Sequence, residues 1–145
     1  MDGSGDDYAD GDAAAVDDET LAQIRRAGTA VADGELVVYP TETVYGLGAD
    51  ALSTSAVERV FETKGRDRDD PLSLGVTSVD AALAHTRPTS LATAFMRAFL
   101  PGPVTVVVER ETSVPDALTG GRARVGIRVP GHPIALGVLG ETGPL

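Results

Sequence analysis

Apolar positions along the chain recur with two periods, and the switches between them mark the predicted elements. Over residues 17–32, Leu21, Ile24, Ala27 or Gly28, and Val31 recur at helical spacing behind a cap at Asp17 or Asp18. Gly28 lowers the propensity of this helix, and Gly34 stops it. A strand is predicted over residues 35–39. Ser55-Ala56-Val57-Glu58 has capping-box spacing and predicts a second helix over 55–63, with Val57, Val60 and Phe61 as its core face. Gly65 gives that helix a sharp exit. A second strand is predicted over 72–77, and a short helix from Ser78 or Asp80 to Ala84. Ser90 caps a further helix to about Leu100, where Leu91, Phe95 and Phe99 are spaced by four.

Pro101-Gly102-Pro103 stops that helix. In the strand over 104–109, Val107 stands between Val106 and Val108, so period two is broken and both faces are expected to be buried. Residues 113–121 are turn-rich, with room for one short helical turn. A strand over 124–129 follows, then a final helix with Pro133 at its first position. A further strand is expected to start at Pro144-Leu145. The strand–helix alternation predicts an α/β fold: a twisted mixed sheet flanked by helices. Residues 17–145 form one domain, and the Asp-, Gly- and Ala-rich residues 1–16 are expected to be a disordered acidic lead-in.

The stretch LVVYPTETVYGLGAD, residues 36–50, departs from these periods. An apolar strand meets Pro40, which cannot donate to a further ladder bond, and Thr41, Glu42 and Thr43 follow. Polar side chains at a strand end are a common way to mount a site on a rigid base, and an ordinary strand-to-helix turn reads the same way.

Composition narrows the chemistry. The chain has 145 residues and no cysteine, which excludes disulfides, thiolate catalysis and cysteine-ligated zinc. The formal charge is -10, from 22 acidic and 12 basic residues. That argues against a general nucleic-acid binder. Eleven of the basic residues are arginine, and Lys64 is the only lysine. An acidic, lysine-poor surface is expected of a protein from a salt-rich cytoplasm, where screening reduces self-repulsion. The absence of cysteine fits a reducing cytoplasm, the expected location, and no apolar run reaches the length of a membrane span.

Three polar groups are candidates for a site. Lys64-Gly65-Arg66 places two cations at a helix end. They suit a phosphate or carboxylate, and they equally suit the helix dipole. Arg128 lies in a strand between apolar neighbours and calls for an anionic partner, either a ligand or a structural carboxylate. Glu42 reads as a base, a metal ligand or a structural acceptor. Gly46-Leu47-Gly48 is no phosphate loop, and His85 and His132 lack zinc spacing, so no residue is assigned to a resident metal.

With these residues on the page, the chain resembles the YrdC-like domain of threonylcarbamoyl-AMP synthases. Four motifs carry the resemblance: YPTETVYGLGADA at 39–51, ERVFETKGRDRDDPL at 58–72, PGPVTVVV at 101–108 and VGIRVPGHPIAL at 125–136. It covers roughly residues 21–145. It implies a YrdC-like twisted α/β fold and a reaction in which L-threonine, bicarbonate and ATP, accompanied by Mg²⁺, yield threonylcarbamoyl-adenylate and pyrophosphate. The product feeds threonylcarbamoylation of an adenosine beside certain tRNA anticodons. Implied partners are therefore the downstream threonylcarbamoyl transferase machinery and double-stranded RNA or tRNA.

Carried over by position, Thr43 resembles a threonine contact and Arg128 a contact to the threonine carboxylate. Lys64 and Arg66 resemble the basic pair that holds the nucleotide phosphates and the reacting carboxylates. Asp70 resembles a nucleotide contact. Gly75 stands where some members have His. A Ser/Thr-Ser-Ala-Asn segment that borders the nucleotide cleft is expected just beyond Leu145, so the domain is expected to be incomplete at its C-terminus. The competing readings are a noncatalytic nucleotide- or RNA-binding module with the same fold and a carbamoyl-transfer domain of a hydrogenase-maturation protein.

Overall fold

A computed structural model describes residues 16–145. The expected lead-in, but for Val16, lies outside the described residues. Helix α1 spans Asp18–Ala32, and the Asp17 side chain accepts the Thr20 N–H at 2.7 Å as its cap. Ile24 and Val31 are its buried positions. They pack with Val138, Leu139 and Leu145, a cluster that joins α1 to the last helix, α6 (Pro133–Thr142). Gly28 lies at this contact. A Cβ there would stand 3.0 Å from the Glu141 Cβ, so the lost helix propensity is exchanged for close approach.

Strand β1 (Val37–Tyr39) turns back into β2 (Gly46–Gly48), an antiparallel pair in register Val38↔Leu47. Helix α2 spans Thr54–Lys64 and ends at Gly65 in the left-handed conformation. Its N-cap is Ser53, whose hydroxyl accepts the Ala56 N–H at 3.3 Å, so the expected box at Ser55 starts two residues late. The face itself is as expected, with Val57, Val60 and Phe61 buried.

Strand β3 (Ser73–Gly75) leads through α3 (Val79–Leu83) to α4 (Ser90–Phe99). Thr89, not Ser90, caps α4 through the Ala92 N–H. The face carrying Leu91, Phe95 and Phe99 points outward. These three are exposed, Leu91 at 82%, while Met96 is fully buried. Phe95 and Phe99 stack on each other with centroids 4.5 Å apart. Strand β4 (Val106–Glu109) alternates strictly, Val106 and Val108 in and Val107 out, at 59% exposure. Its two-faced burial was expected from composition. As an edge strand it covers one face only.

After the short helix α5 (Asp116–Thr119), strand β5 (Arg124–Arg128) takes the centre of a three-stranded sheet ordered β3-β5-β4. It runs parallel to β3 and antiparallel to β4. The mixed α/β fold is therefore as expected, with its sheet in two hydrogen-bonded parts. Leu74, Ile127, Phe61, Met96 and Leu118 fill the main core between the β3-β5-β4 sheet and the helices.

Residue Leu145 stitches the two parts. It exchanges both backbone hydrogen bonds with Gly75, at 2.9 and 3.1 Å, as an antiparallel pair does. Its side chain packs on Gly48 of β2. Pro144-Leu145, where a strand start was expected, forms no strand among the described elements, and Leu145 alone pairs with the end of β3. No helix among the described residues is long and apolar enough to cross a membrane.

Candidate active site

Pro40 ends β1, and the next residues form a tight polar turn. The Thr41 hydroxyl donates to the Val44 carbonyl and accepts the Thr43 N–H at 3.3 Å. The two hydroxyls of Thr41 and Thr43 lie 3.2 Å apart. This local bonding orients the turn without help from a sheet ladder. It faces a cavity of about 120 Å³ lined by Tyr39, Thr41, Thr43, Gly75, Arg128 and Pro130, with Leu145 at its edge. The volume suits a small metabolite rather than a whole nucleotide. Arg128 reaches it from the C-terminal end of β5.

The turn and the far wall are tied by Glu42. Its Oε2 accepts the backbone N–H of Gly131. Its Oε1 lies 3.8 Å from Arg128 Nη2, close enough for an ion pair and too far for a hydrogen bond. Of the two sequence readings of Arg128, ligand or structural carboxylate, both have a place: Glu42 takes one side of it, and the cavity borders it. Nothing in the local pattern marked Glu42 as the partner, because the two meet only in three dimensions.

Tyr39 supplies a phenol to the same cavity. Burial raises its pKa above the ordinary 10.0, and the nearby charge of Arg128 partly opposes the rise. The phenol is therefore a neutral donor near neutral pH. The sign for stability follows: a folded pKa above the unfolded one contributes stability that is present below 10.0 and lost as pH rises through the folded value. Tyr39→Phe is expected to remove the last phenolate transition from an absorbance titration and to soften the alkaline fall in melting temperature. A difference between the two titrations that lies below pH 10.0 would contradict the burial effect.

The remaining candidates are Lys64, at the end of α2, and Arg66 and Asp70 on the loop after it, and none of the three lines this cavity. Arg66 is committed to that loop. Its Nε donates to the Asp70 carbonyl at 3.0 Å and its Nη2 to the Pro71 carbonyl at 2.7 Å. Arg66 Nη2 also lies 3.2 Å from Asp70 Oδ1. Lys64 is exposed on the last turn of α2 and makes no hydrogen bond or ion pair among the described residues. The structure thus gathers Thr43 and Arg128, joins Arg66 to Asp70, and leaves Lys64 exposed without a partner among the described residues. Gly75 lines the cavity, and a Cβ there would make only ordinary contacts, with Leu145 O at 3.6 Å and the Tyr39 hydroxyl oxygen at 3.8 Å. Sequence reasoning missed Tyr39 as a site component, although it lies inside the motif singled out there; of the roles open to Glu42, the structure shows an acceptor for Gly131 that also faces Arg128.

The chain as a whole is similar to known proteins. The family model Sua5_yciO_yrdC, described as "Telomere recombination", matches residues 29–145. The threonylcarbamoyl-AMP synthase of Pyrococcus abyssi is 44% identical over 119 residues, 81% of this chain and 35% of that protein. The enzyme of that name from Bacillus subtilis is 40% identical over 126 residues, 83% of this chain and 36% of that protein. The crystal structure of P. abyssi Sua5 complexed with L-threonine superposes with a TM-score of 0.82 at 40% identity, covering 86% of this chain and 37% of that one. The chain therefore spans about a third of the length of these relatives.

Proposed function

The chain belongs to the Sua5/YciO/YrdC family, and from that premise we propose that it forms threonylcarbamoyl-adenylate and pyrophosphate from L-threonine, bicarbonate and ATP. The observation that carries this reading is one small cavity bordered by both the Thr43 turn and the Arg128 side chain. A cation, a neutral phenol and threonine side chains suit a small zwitterionic amino acid. The L-threonine held by the P. abyssi relative supports the same choice.

The chemistry has two steps. The amine nitrogen of threonine attacks the carbon of bicarbonate, water leaves, and a carbamate forms. A carbamate oxygen then attacks the α-phosphorus of ATP, and the bond to pyrophosphate breaks. Arg128 holds the threonine carboxylate with its planar fork, and Thr43 fixes the other end of the molecule. Lys64, mobile on its stem, meets the nucleotide phosphates. Arg66 and Asp70 shape the loop that carries the nucleotide. Holding the carbamate against the α-phosphorus and balancing charge supply most of what these steps need.

ATP arrives as its Mg²⁺ complex. Among the described residues no three His, Cys, Asp or Glu side chains gather to hold an ion by themselves. Mg²⁺ would be carried chiefly by the substrate phosphates. The product is a donor for adenosine modification in tRNA, so a transferase that consumes it is the expected partner and the cytoplasm the expected place.

The test is pyrophosphate release from ATP with identification of the adenylate. Release that requires both L-threonine and bicarbonate is expected. Release independent of either would mean a different ATP-cleaving reaction, and nucleotide binding without adenylate would favour a noncatalytic module of the same fold.

A further inference from the structure

We propose that Glu42 is a positioning residue, a clasp that holds Arg128 and the loop after β5 in the geometry that receives the amino acid. The identity of that ligand rests on the reading above, whereas the clasp itself rests on contacts. Glu42 lies between Thr41 and Thr43, which border the cavity, and it is not itself among the lining residues. Its two oxygens reach residues on either side of cavity-lining Pro130: Oε1 faces Arg128, two residues before the proline, and Oε2 accepts from Gly131, one residue beyond it. One carboxylate therefore ties both walls.

The clasp is built at some cost. The Glu42 side chain is only 18% exposed, and its Oε1 is buried without a hydrogen-bond partner. A buried acceptor in that state is unfavourable unless something compensates it. The compensation here is the Arg128 charge at 3.8 Å. Closing that gap to about 2.9 Å would make a charge-assisted hydrogen bond. Glu42 thus pulls one edge of the guanidinium towards itself and leaves the opposite edge for a ligand carboxylate. Arginine serves two anions at once because its donors point outward around a rigid plane. Gly131 completes the arrangement. A Cβ at this position would stand 3.0 Å from Glu42 Oε2, so glycine lets the carboxylate reach the backbone N–H.

Calorimetric titration with L-threonine tests the proposal, using the full chain. The variants are Glu42→Gln, Glu42→Ala, Arg128→Ala and the double Glu42→Ala/Arg128→Ala. Gln keeps an acceptor for the Gly131 N–H and loses the charge facing Arg128. It is expected to weaken L-threonine binding about 5- to 30-fold, the effect of one or two kcal/mol, with little change in melting. In turnover the loss should fall on KM for threonine more than on kcat. Glu42→Ala should cost little further binding once Arg128 is absent, because the two act as one unit. Unchanged affinity in Glu42→Gln, or losses that simply add in the double variant, would overturn the clasp while leaving the functional reading intact. Failure of the unaltered chain to bind L-threonine would overturn the functional reading and the clasp's role in it together. That result is seen in the first titration, before any variant is compared.

Discussion

Lys64→Ala lowers threonine- and bicarbonate-dependent pyrophosphate release by about 10- to 1,000-fold, the scale of losing one preorganised electrostatic contact. That outcome is expected because Lys64 is exposed, holds no partner among the described residues, and is the only lysine of a chain with charge -10. Its competing role is to complement the C-terminal dipole of α2, which is worth only a few tenths of a kcal/mol at an exposed site. The two roles separate cleanly when turnover and thermal unfolding are measured on the same variant. A large loss of turnover with nearly unchanged melting supports contact with the phosphates. Near-normal turnover would defeat it. Arg66→Lys gives a different signature. Its fork binds two carbonyls and faces the Asp70 carboxylate, so lysine releases the loop as well as altering the charge array. Both turnover and stability should fall.

Phe61→Ala gives the opposite result three residues earlier on the same helix. Phe61 is 2% exposed in the main core, beneath the Arg68 guanidinium at 5.7 Å from its ring centroid. Truncation should cost about 3–5 kcal/mol of stability, through lost transfer energy and the cavity left behind. Denaturant unfolding would read this as a fall in midpoint with an unchanged slope. At temperatures where the variant stays folded, the affinity for L-threonine should change little, since Phe61 does not line the cavity. A cost below about 1 kcal/mol would mean that the core repacks around the gap. The pair of substitutions therefore tests whether α2 presents one face to the core and its last turn to a ligand.

The helices were legible because their signals are local. Asp17, Ser78 and Pro133 stand at or beside their helix starts as read, and Gly65 ends α2. The cap of α2 slipped to Ser53 because two serines compete within one short segment. Strand β2 was missed for a physical reason: Gly46-Leu47-Gly48 has neither alternation nor β-propensity, and it becomes a strand only by pairing with β1. In α4 the spacing of Leu91, Phe95 and Phe99 marked a shared face without saying which way it points, and the face is exposed. Met96, off that stripe, turned out to be the inward residue. At the site, the motif drew attention to Thr43, and the strand context of Arg128 called for an anion. The partnership of Arg128 with Glu42, and the donation from Gly131, depend on tertiary contact that no window of sequence contains.

The same contact has a consequence for how the molecule comes to be made. Glu42 and Gly131 are 89 residues apart in the chain. Bringing such distant positions together costs closure entropy that a single hydrogen bond does not recover, so the sheet must do it. The bonds of Arg66 to Asp70 and Pro71 are local, whereas the same loop also accepts from Arg122 at the Asp69 carbonyl, 53 residues on. On a ribosome, the segment bearing Lys64 has emerged well before β5 brings Arg128 beside Glu42. The cavity needs both walls, so a small molecule that fills it binds the finished fold alone. At a hundred times its dissociation constant, such a ligand would deepen the native state by about 2.7 kcal/mol. A metabolite of the cell would then act as a quality mark, favouring those copies whose two distant loops have met.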